Sequence, residues 1–483
     1  MRECPGRPTA RPLSHPYGAN MALVAGIDSS TQSCKVVVCD STTGEVVREG
    51  RAPHPDGTET DPRHWWTALS HASSGLLDDV AAVSVAGQQH GMVVIDDEGE
   101  VVRPALLWND GRSARAADDL VEELGGPRVW ADAIGNVPVA GFTITKLRWF
   151  SEHEPDLAAK ARGVMLPHDW LTWRLGGARQ APTTDRGDAS GTGYWSPSEN
   201  AYRTDLLVHA FGRELEVPRV AAPSEAVGHT PEGALIAPGT GDNMGAALGL
   251  GLRTGDVVVS LGTSGTVFAA HDRPTHDATG AVCGYADATG GHLPLVCTLN
   301  AARVLGSAAS MLGTDLAGLD HLALGARPGA EGVVLLPYLD GERTPVLPEA
   351  SGSLHGLRRD NMTPGNIARA AVEGMLCGLA DGLVALTAQG VRAERVLLVG
   401  GGARSAAVRA IAPLVLGMPV ATPPAAEYVA LGAARQAAWA LSGDPLPPEW
   451  TLGAPAEEAA HSPEAGNGLR ERYAEYRRAL HGV

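Results

Sequence analysis

The sequence predicts an α/β protein of two related domains. Three observations carry that prediction. At 483 residues the chain is too long for a single core. Residues 22–40 read as strand, polar turn, strand, with Asp28 at the end of the first arm and Ser, Thr and Gln in the turn. Residues 256–270 repeat that plan as a β-branched run, a Ser/Thr/Gly turn and a second β-branched run. The copies stand about 235 residues apart, near half the chain, as a duplicated unit would. The boundary is expected at Arg253-Thr254-Gly255, separating residues 21–252 from 253–483.

Taken in order, residues 1–20 hold Arg2, Arg7, Arg11 and prolines but no apolar h-region, so they are no secretory signal. A disordered leader ahead of Met21 is expected. After the first hairpin, Glu45 to Arg51 suits a third strand and Pro62 to Leu77 a helix carrying Trp65, Trp66 and Leu69. Ala81 to Ala86 is a buried-type strand running into Gly87-Gln88-Gln89-His90-Gly91, and Met92 to Ile95 a further strand. Helices joined by loops are expected from Ser113 to about Leu175, and irregular chain over 176–235. After the second hairpin, a helix is predicted from Pro364 to Ala388, with Val372, Met375, Leu376 and Leu379 on one stripe. Arg395 to Val399 is a strand leading into Gly400 to Ser405 and another helix. Residues 441–468 are rich in Pro, Ala and Glu and expected to be loose, with a short charged helix from Leu469.

Composition excludes several functions. Net charge is −17, which argues against nucleic acid or an anionic membrane surface, since phosphate affinity comes from clustered Lys and Arg. No apolar run approaches the roughly 18–20 residues of a membrane helix. The six cysteines show neither CxxC pairs nor metal-ligand spacing and read as reduced thiols, implying a cytoplasmic protein. Oligomeric state stays open, a homodimer included.

Three Gly/Ser/Thr turns follow strands: Asp28 to Thr31, Leu261 to Thr266, and Gly400 to Ser405. Backbone N–H groups in such turns form nests that suit phosphate oxygens, and the third turn opens a helix, whose N-terminus adds positive potential. Neither the P-loop lysine motif nor GxGxxG is present. Asp28 is either turn chemistry or a ligand for Mg²⁺, which keeps several waters and needs only one or two carboxylates. Lys35 is either a solvated strand residue or added positive charge at a polyphosphate. A fourth stretch, Gly239-Thr-Gly-Asp242-Asn243-Met-Gly-Ala-Ala247, follows the apolar run Ala234 to Ala237. Asp242 stands where a helix N-cap is expected, and a small-residue helix follows to about Gly251. Gly245 and Gly249 share one face of it, so a second backbone is expected to approach there. Asp242 is either that cap or a carboxylate at a cleft floor, poised as a base towards a hydroxyl.

These residues resemble the FGGY family of carbohydrate kinases, in the actin/Hsp70/sugar-kinase superfamily, over nearly all of residues 21–440. Gly141-Phe-Thr-Ile-Thr-Lys146-Leu-Arg-Trp149-Phe-Ser-Glu-His153 is similar to the first family signature. Gly352 to Leu357 followed by Asn366 to Glu373 is similar to the second. The resemblance implies two ribonuclease-H-like domains around a cleft, sugar mainly on the first and ATP mainly on the second. Ala86-Gly-Gln-Gln-His-Gly91, Leu107-Trp-Asn-Asp-Gly-Arg112 and Gly341-Glu-Arg-Thr-Pro345 are most similar to xylulokinases. Glycerol kinases differ at Gln89, His90 and Gly141, which argues against glycerol.

The resemblance implies phosphoryl transfer from ATP to O5 of D-xylulose, with Asp242 as general base and Asp28 steering Mg²⁺. Thr31, Lys35 and Thr263 would face the phosphates, and Gly401, Gly402 and Ser405 the adenosine. Gln89, His90 and Asn243 supply the neutral donors and acceptors a pentulose needs, and Trp108 an apolar wall. Trp108 is also readable as core, His90 as a satisfied strand-end histidine, and Asp169 as a helix cap. Rival readings keep the class with another ketopentose or a polyol, or change it to an actin- or Hsp70-like ATPase.

Overall fold

In the computed structural model, residues 22–451, 453, 455–458 and 463–483 are described. The expected leader at residues 1–20 lies outside the described residues. Each half of the chain builds a seven-stranded sheet. In the first, Leu23–Ser29 and Ser33–Asp40 pair antiparallel, and Val46–Pro53 adds to the outer edge. Val80–Gly87 lies parallel on the other side of Leu23–Ser29. A parallel neighbour requires a crossover, and the helix Pro62–Ala72 lies in it. Asp61 caps that helix by accepting the Arg63 N–H, and Pro62 occupies its first turn, where a missing N–H costs nothing. It stops before Ser73, short of the expected Leu77, ahead of Gly75 at φ 68°.

The second sheet repeats this plan. Gly255–Leu261 and Gly265–Ala269 form the hairpin, His292–Thr298 and Cys283–Ala286 extend it antiparallel, and Ala393–Val399 runs parallel beside Gly255–Leu261. The crossover holds Pro364–Ala388, capped by Thr363 and packed through Val372, Met375, Leu376 and Leu379, all fully buried. By length and hydropathy this is the one helix among the described residues that matches a membrane span, yet 72% of its most apolar window is buried inside the protein.

The two lobes are joined by close packing of two helices. Tyr428–Ser442 belongs to the second half of the sequence but packs on the first sheet: Ala430, Leu431 and Ala434 share a core cluster with Val24, Val37 and Ala82. Met244, Ala247 and Leu248 of the helix Asp242–Leu250 share another with Val258, Phe268 and Leu397 of the second sheet. The two helices cross at glycines. A Cβ on Gly249 would lie 2.0 Å from the Tyr428 carbonyl oxygen, and one on Gly432 would lie 1.8 Å from that of Gly245. The backbone approach expected at Gly245 and Gly249 is therefore present, with the partner supplied from the other half of the chain.

Three sequence expectations need correction. The N-cap is Gly241, and Asp242 is the first helical residue. Residues 176–235 hold the helices Arg186–Ala189 and Thr204–Phe211 as well as short strands. The charged tail helix expected from Leu469 starts earlier and is longer: it runs Pro463–His481 and buries Leu469 and Tyr473 in the second core.

Candidate active site

A cavity of about 250 Å³ opens between the lobes at the start of the Asp242 helix. The first lobe contributes Asp242 and Asn243, then Gln89 and His90 from the chain leaving Val80–Gly87, and Thr31 and Trp108. Across the gap stand Gly262, Ser264 and Thr266 of the second hairpin, with Tyr285, Thr298 and Arg343. The sugar-side residues singled out in the sequence are thus brought to one wall, with Thr31 beside them.

Short hydrogen bonds fix that wall. Asn243 Nδ2 donates to Gln89 Oε1 at 2.9 Å and to Asp242 Oδ1 at 3.0 Å, and Asp242 Oδ1 also accepts the Asn243 N–H at 2.8 Å. Trp108 Nε1 donates to Thr31 Oγ1 at 2.9 Å, tying the indole to the phosphate-type turn. Burial pushes the Asp242 carboxyl up to about 7, with the negative charges of Asp28 and Asp188 adding to it. A base with an affinity for protons near neutrality is suited to accepting one from an alcohol.

His90 sits at φ 65°, a left-handed backbone that residues other than glycine seldom adopt. Its Nδ1 lies 2.7 Å from the Gly191 carbonyl and its Nε2 3.2 Å from the Tyr285 hydroxyl. A carbonyl only accepts, so Nδ1 carries the proton and Nε2 accepts from Tyr285. Burial, with Lys146 and Arg343 nearby, pushes the imidazole down to about 3 and keeps it neutral.

The nucleotide-side residues divide. Asp28 is buried and pairs across the hairpin with Lys35, whose Nζ lies 3.5 Å from Asp28 and 2.6 Å from Glu427. Burial holds the Asp28 carboxyl above its usual range, against the pull of Lys35. Lys35 and Gly401 line a second opening of about 750 Å³ together with Gly400, Arg404 and Glu427. A Cβ on Gly401 would meet nothing within 4 Å, whereas one on Gly402 would stand 2.8 Å from the Cβ of Leu261, so Gly402 is packed. Ser405 is the N-cap of Ala406–Leu416, accepting the Val408 N–H while donating to Asp320. Thr263 is exposed at the hairpin tip, between Gly262 and Ser264, which do line the cavity.

Sequence reasoning missed Lys146 as a support, Tyr285 and Arg343 as walls, and a buried cluster around His168. Lys146 and Arg343 stood inside quoted motifs, but nothing local revealed what they face. His168 Nδ1 lies 2.7 Å from Asp188 and its Nε2 3.2 Å from Asp169. Those carboxylates, with Asp185, outweigh burial and push the imidazole up to about 9. Asp169 also accepts the Leu166 N–H at 2.8 Å, satisfying that donor at the start of Pro167–Leu175.

Residues 23–249 match the N-terminal domain, and 257–441 the C-terminal domain, of the FGGY family of carbohydrate kinases. The chain belongs to that family. Among relatives, it is 49% identical over 438 residues to a xylulose kinase of Streptomyces coelicolor, covering 87% of this chain and 89% of that one. It is 34% identical to a xylulose kinase of Escherichia coli over 94% of this chain and 96% of that one. Among solved structures, a xylulose kinase from Bifidobacterium adolescentis superposes with a TM-score of 0.88 at 44% identity, over 95% of this chain and 99% of that one. This FGGY kinase has the two-lobed family fold, and its substrates are ATP and a small-molecule sugar.

Proposed function

We propose that this FGGY kinase transfers the γ-phosphoryl group of ATP to the O5 hydroxyl of D-xylulose, with Asp242 as general base. The observation that carries the reading is a carboxyl pushed up to about 7, lining an interlobe cavity beside neutral amides. A pentulose presents hydroxyls and a ketone without charge, and Gln89, Asn243 and neutral His90 match it with donors and acceptors. Trp108 covers a C–H face. The names of the relatives point to the same sugar.

Asp242 takes the O5 proton as the oxygen attacks phosphorus. The transition state is loose, so placing the two substrates in line and stabilising charge carry most of the rate. Backbone N–H groups and hydroxyls of the Thr31 and Thr263 turns hold phosphate oxygens. Gly401 gives the adenosine side a close approach, and Gly402 and Ser405 fix the shape of that loop. The buried Asp28 carboxylate, beside the like charge of Asp242, suits a cation carried in with the polyphosphate. Among the described residues no three His, Cys, Asp or Glu converge as a protein-only metal cage. Mg²⁺ would be held by Asp28 and neutralise developing phosphate charge. Lobe closure excludes water and limits ATP hydrolysis. The division of labour is drawn between 252 and 253, and the free thiols suit a cytoplasmic enzyme.

The test is ADP release across D-xylulose, D-ribulose, other ketopentoses and polyols. D-xylulose giving the highest kcat/KM supports the reading. Equal or better turnover of ribulose or a polyol replaces the substrate, and ADP release independent of any sugar removes the kinase mechanism.

A further inference from the structure

The chain that leads into Asp242 carries one residue more than the strand beside it. Leu235–Ile236 runs parallel to Val80–Gly87 with Ile236 opposite Val83, and the Ala237 N–H still reaches the Val83 carbonyl at 2.9 Å. Thr240–Gly241 rejoins the same strand with Thr240 opposite Ala86. Three residues, Ala237 to Gly239, therefore span a gap that two, Ser84 and Val85, span on the partner. That is a bulge, and it ends in Gly239 at φ 83°. A Cβ there would stand 2.5 Å from the His168 ring and 2.6 Å from the Val85 carbonyl oxygen, so only glycine fits.

A bulge leaves backbone groups off the ladder. Both of those on Gly239 go to one side chain from the other half of the sequence. Gln436 is fully buried on the helix Tyr428–Ser442. Its Oε1 accepts the Gly239 N–H at 3.1 Å, and its Nε2 donates to the Gly239 carbonyl at 3.0 Å. The amide thus pairs with Gly239 as a neighbouring strand would. Gly239 offers one donor and one acceptor, so the amide faces it only one way round. Oε1 also accepts from Ser84 Oγ at 2.6 Å. One amide therefore ties the strand that delivers Gln89 and His90 to the turn that delivers Asp242 and Asn243. Gln436 lies four residues beyond Gly432, which meets Gly245, so the same helix face grips the Asp242 helix both ahead of its start and along its body.

Resting on the reading of Asp242 as the base, we propose that Gln436 is a positioning residue for it: its amide holds the extra residue out of the strand and so sets where Asp242 enters the cleft. A register shift of one residue turns strand side chains to the opposite face. Collapse of the bulge would turn Thr240 away from Asp185, whose Oδ2 it reaches at 2.8 Å, and carry Asp242 out of place against Gln89. A misplacement of about 1 Å is enough to cost roughly 100-fold in rate.

The experiment is a double-mutant cycle in kcat, run with the sugar that the wild type phosphorylates fastest. Gln436→Met keeps the length of the side chain and removes every bond of the amide. It is expected to lower kcat roughly 10- to 100-fold in the wild-type chain, with ATP affinity within about threefold. In the Asp242→Asn chain it is expected to lower the residual rate less than about threefold, because no base is left to misplace. Gln436→Glu keeps the shape and both acceptor contacts, is expected to lose less, and carries the same cycle if the methionine chain does not fold. Ser84→Ala removes the other partner of the amide and is expected to keep kcat within about threefold, whatever its cost in thermal midpoint. A Gln436→Met kcat within about threefold of wild type, an equal loss in both backgrounds, or an equal loss in Ser84→Ala overturns the assignment. An Asp242→Asn rate near wild type overturns the base reading instead, so the two failures are distinct.

Discussion

Lys146 Nζ donates to the backbone carbonyl of His90 at 2.8 Å. The same ammonium donates to the Gly141 carbonyl at 2.6 Å, and Thr143 Oγ1 adds a second bond to the His90 carbonyl at 3.2 Å. The carbonyl so held belongs to the residue whose φ of 65° turns its ring into the cleft. Burial pushes this lysine down to about 7, and Asp110 only partly opposes that. A cation buried at such cost serves to secure the backbone of a substrate-facing residue. Replacing it by methionine takes this donor from the Gly141 carbonyl and leaves the His90 carbonyl with Thr143 alone, at a cost of about 1–3 kcal/mol. Lys146→Met is expected to raise sugar KM by roughly tenfold or more and leave ATP affinity unchanged. Steady-state kinetics and nucleotide titration read the two separately.

The Asp242 carboxyl gives the rate a pH signature. Its affinity for protons is raised from 3.8 to about 7, so it is protonated below that range and cannot accept from the sugar. Sugar kcat/KM is expected to fall about tenfold per pH unit on the acid side of its inflection. That inflection should stand well above the ordinary carboxylate range of about 4, towards neutrality. A pH–rate profile tells the two apart.

The space around two glycines, one at the helix crossing and one on an open helix face, predicts substitutions of opposite sign. Gly432→Ala drives a methyl to 1.8 Å from the Gly245 oxygen, so the helices must separate. A loss of about 1–3 kcal/mol or more is expected on denaturant unfolding. Gly306 lies in Ala302–Met311 with nothing within 4 Å of its Cβ position. Gly306→Ala is expected to gain about 0.5–1 kcal/mol from backbone entropy alone.

Much of this was legible in the sequence because it is local. Each hairpin announces itself by β-branched runs around a polar turn, and Asp28 and Asp242 stand at strand ends and helix starts that short patterns mark. What stayed hidden depends on distant pairings. The exchange that sets Tyr428–Ser442 on the first sheet leaves no trace in periodicity, since a small-residue helix reads the same whichever sheet it meets. Arg343 reads as a loop arginine until the fold brings Tyr285 beside it and Glu342 turns away to Thr298. Ser405 and Gly402 carry roles that the turn pattern does not announce: one caps a helix and the other packs on Leu261. Asp169 is readable as a helix cap; it stands in the first turn of Pro167–Leu175, one turn inside the N-cap Leu166, and faces the buried His168.

The central claim is that Asp242 takes the proton from the sugar hydroxyl. Asp242→Asn keeps the shape of the side chain and removes the base. Phosphorylation of D-xylulose by that variant, with ATP binding verified beforehand, is predicted to fall about 10²- to 10⁴-fold in kcat. A rate within about threefold of wild type would contradict the account.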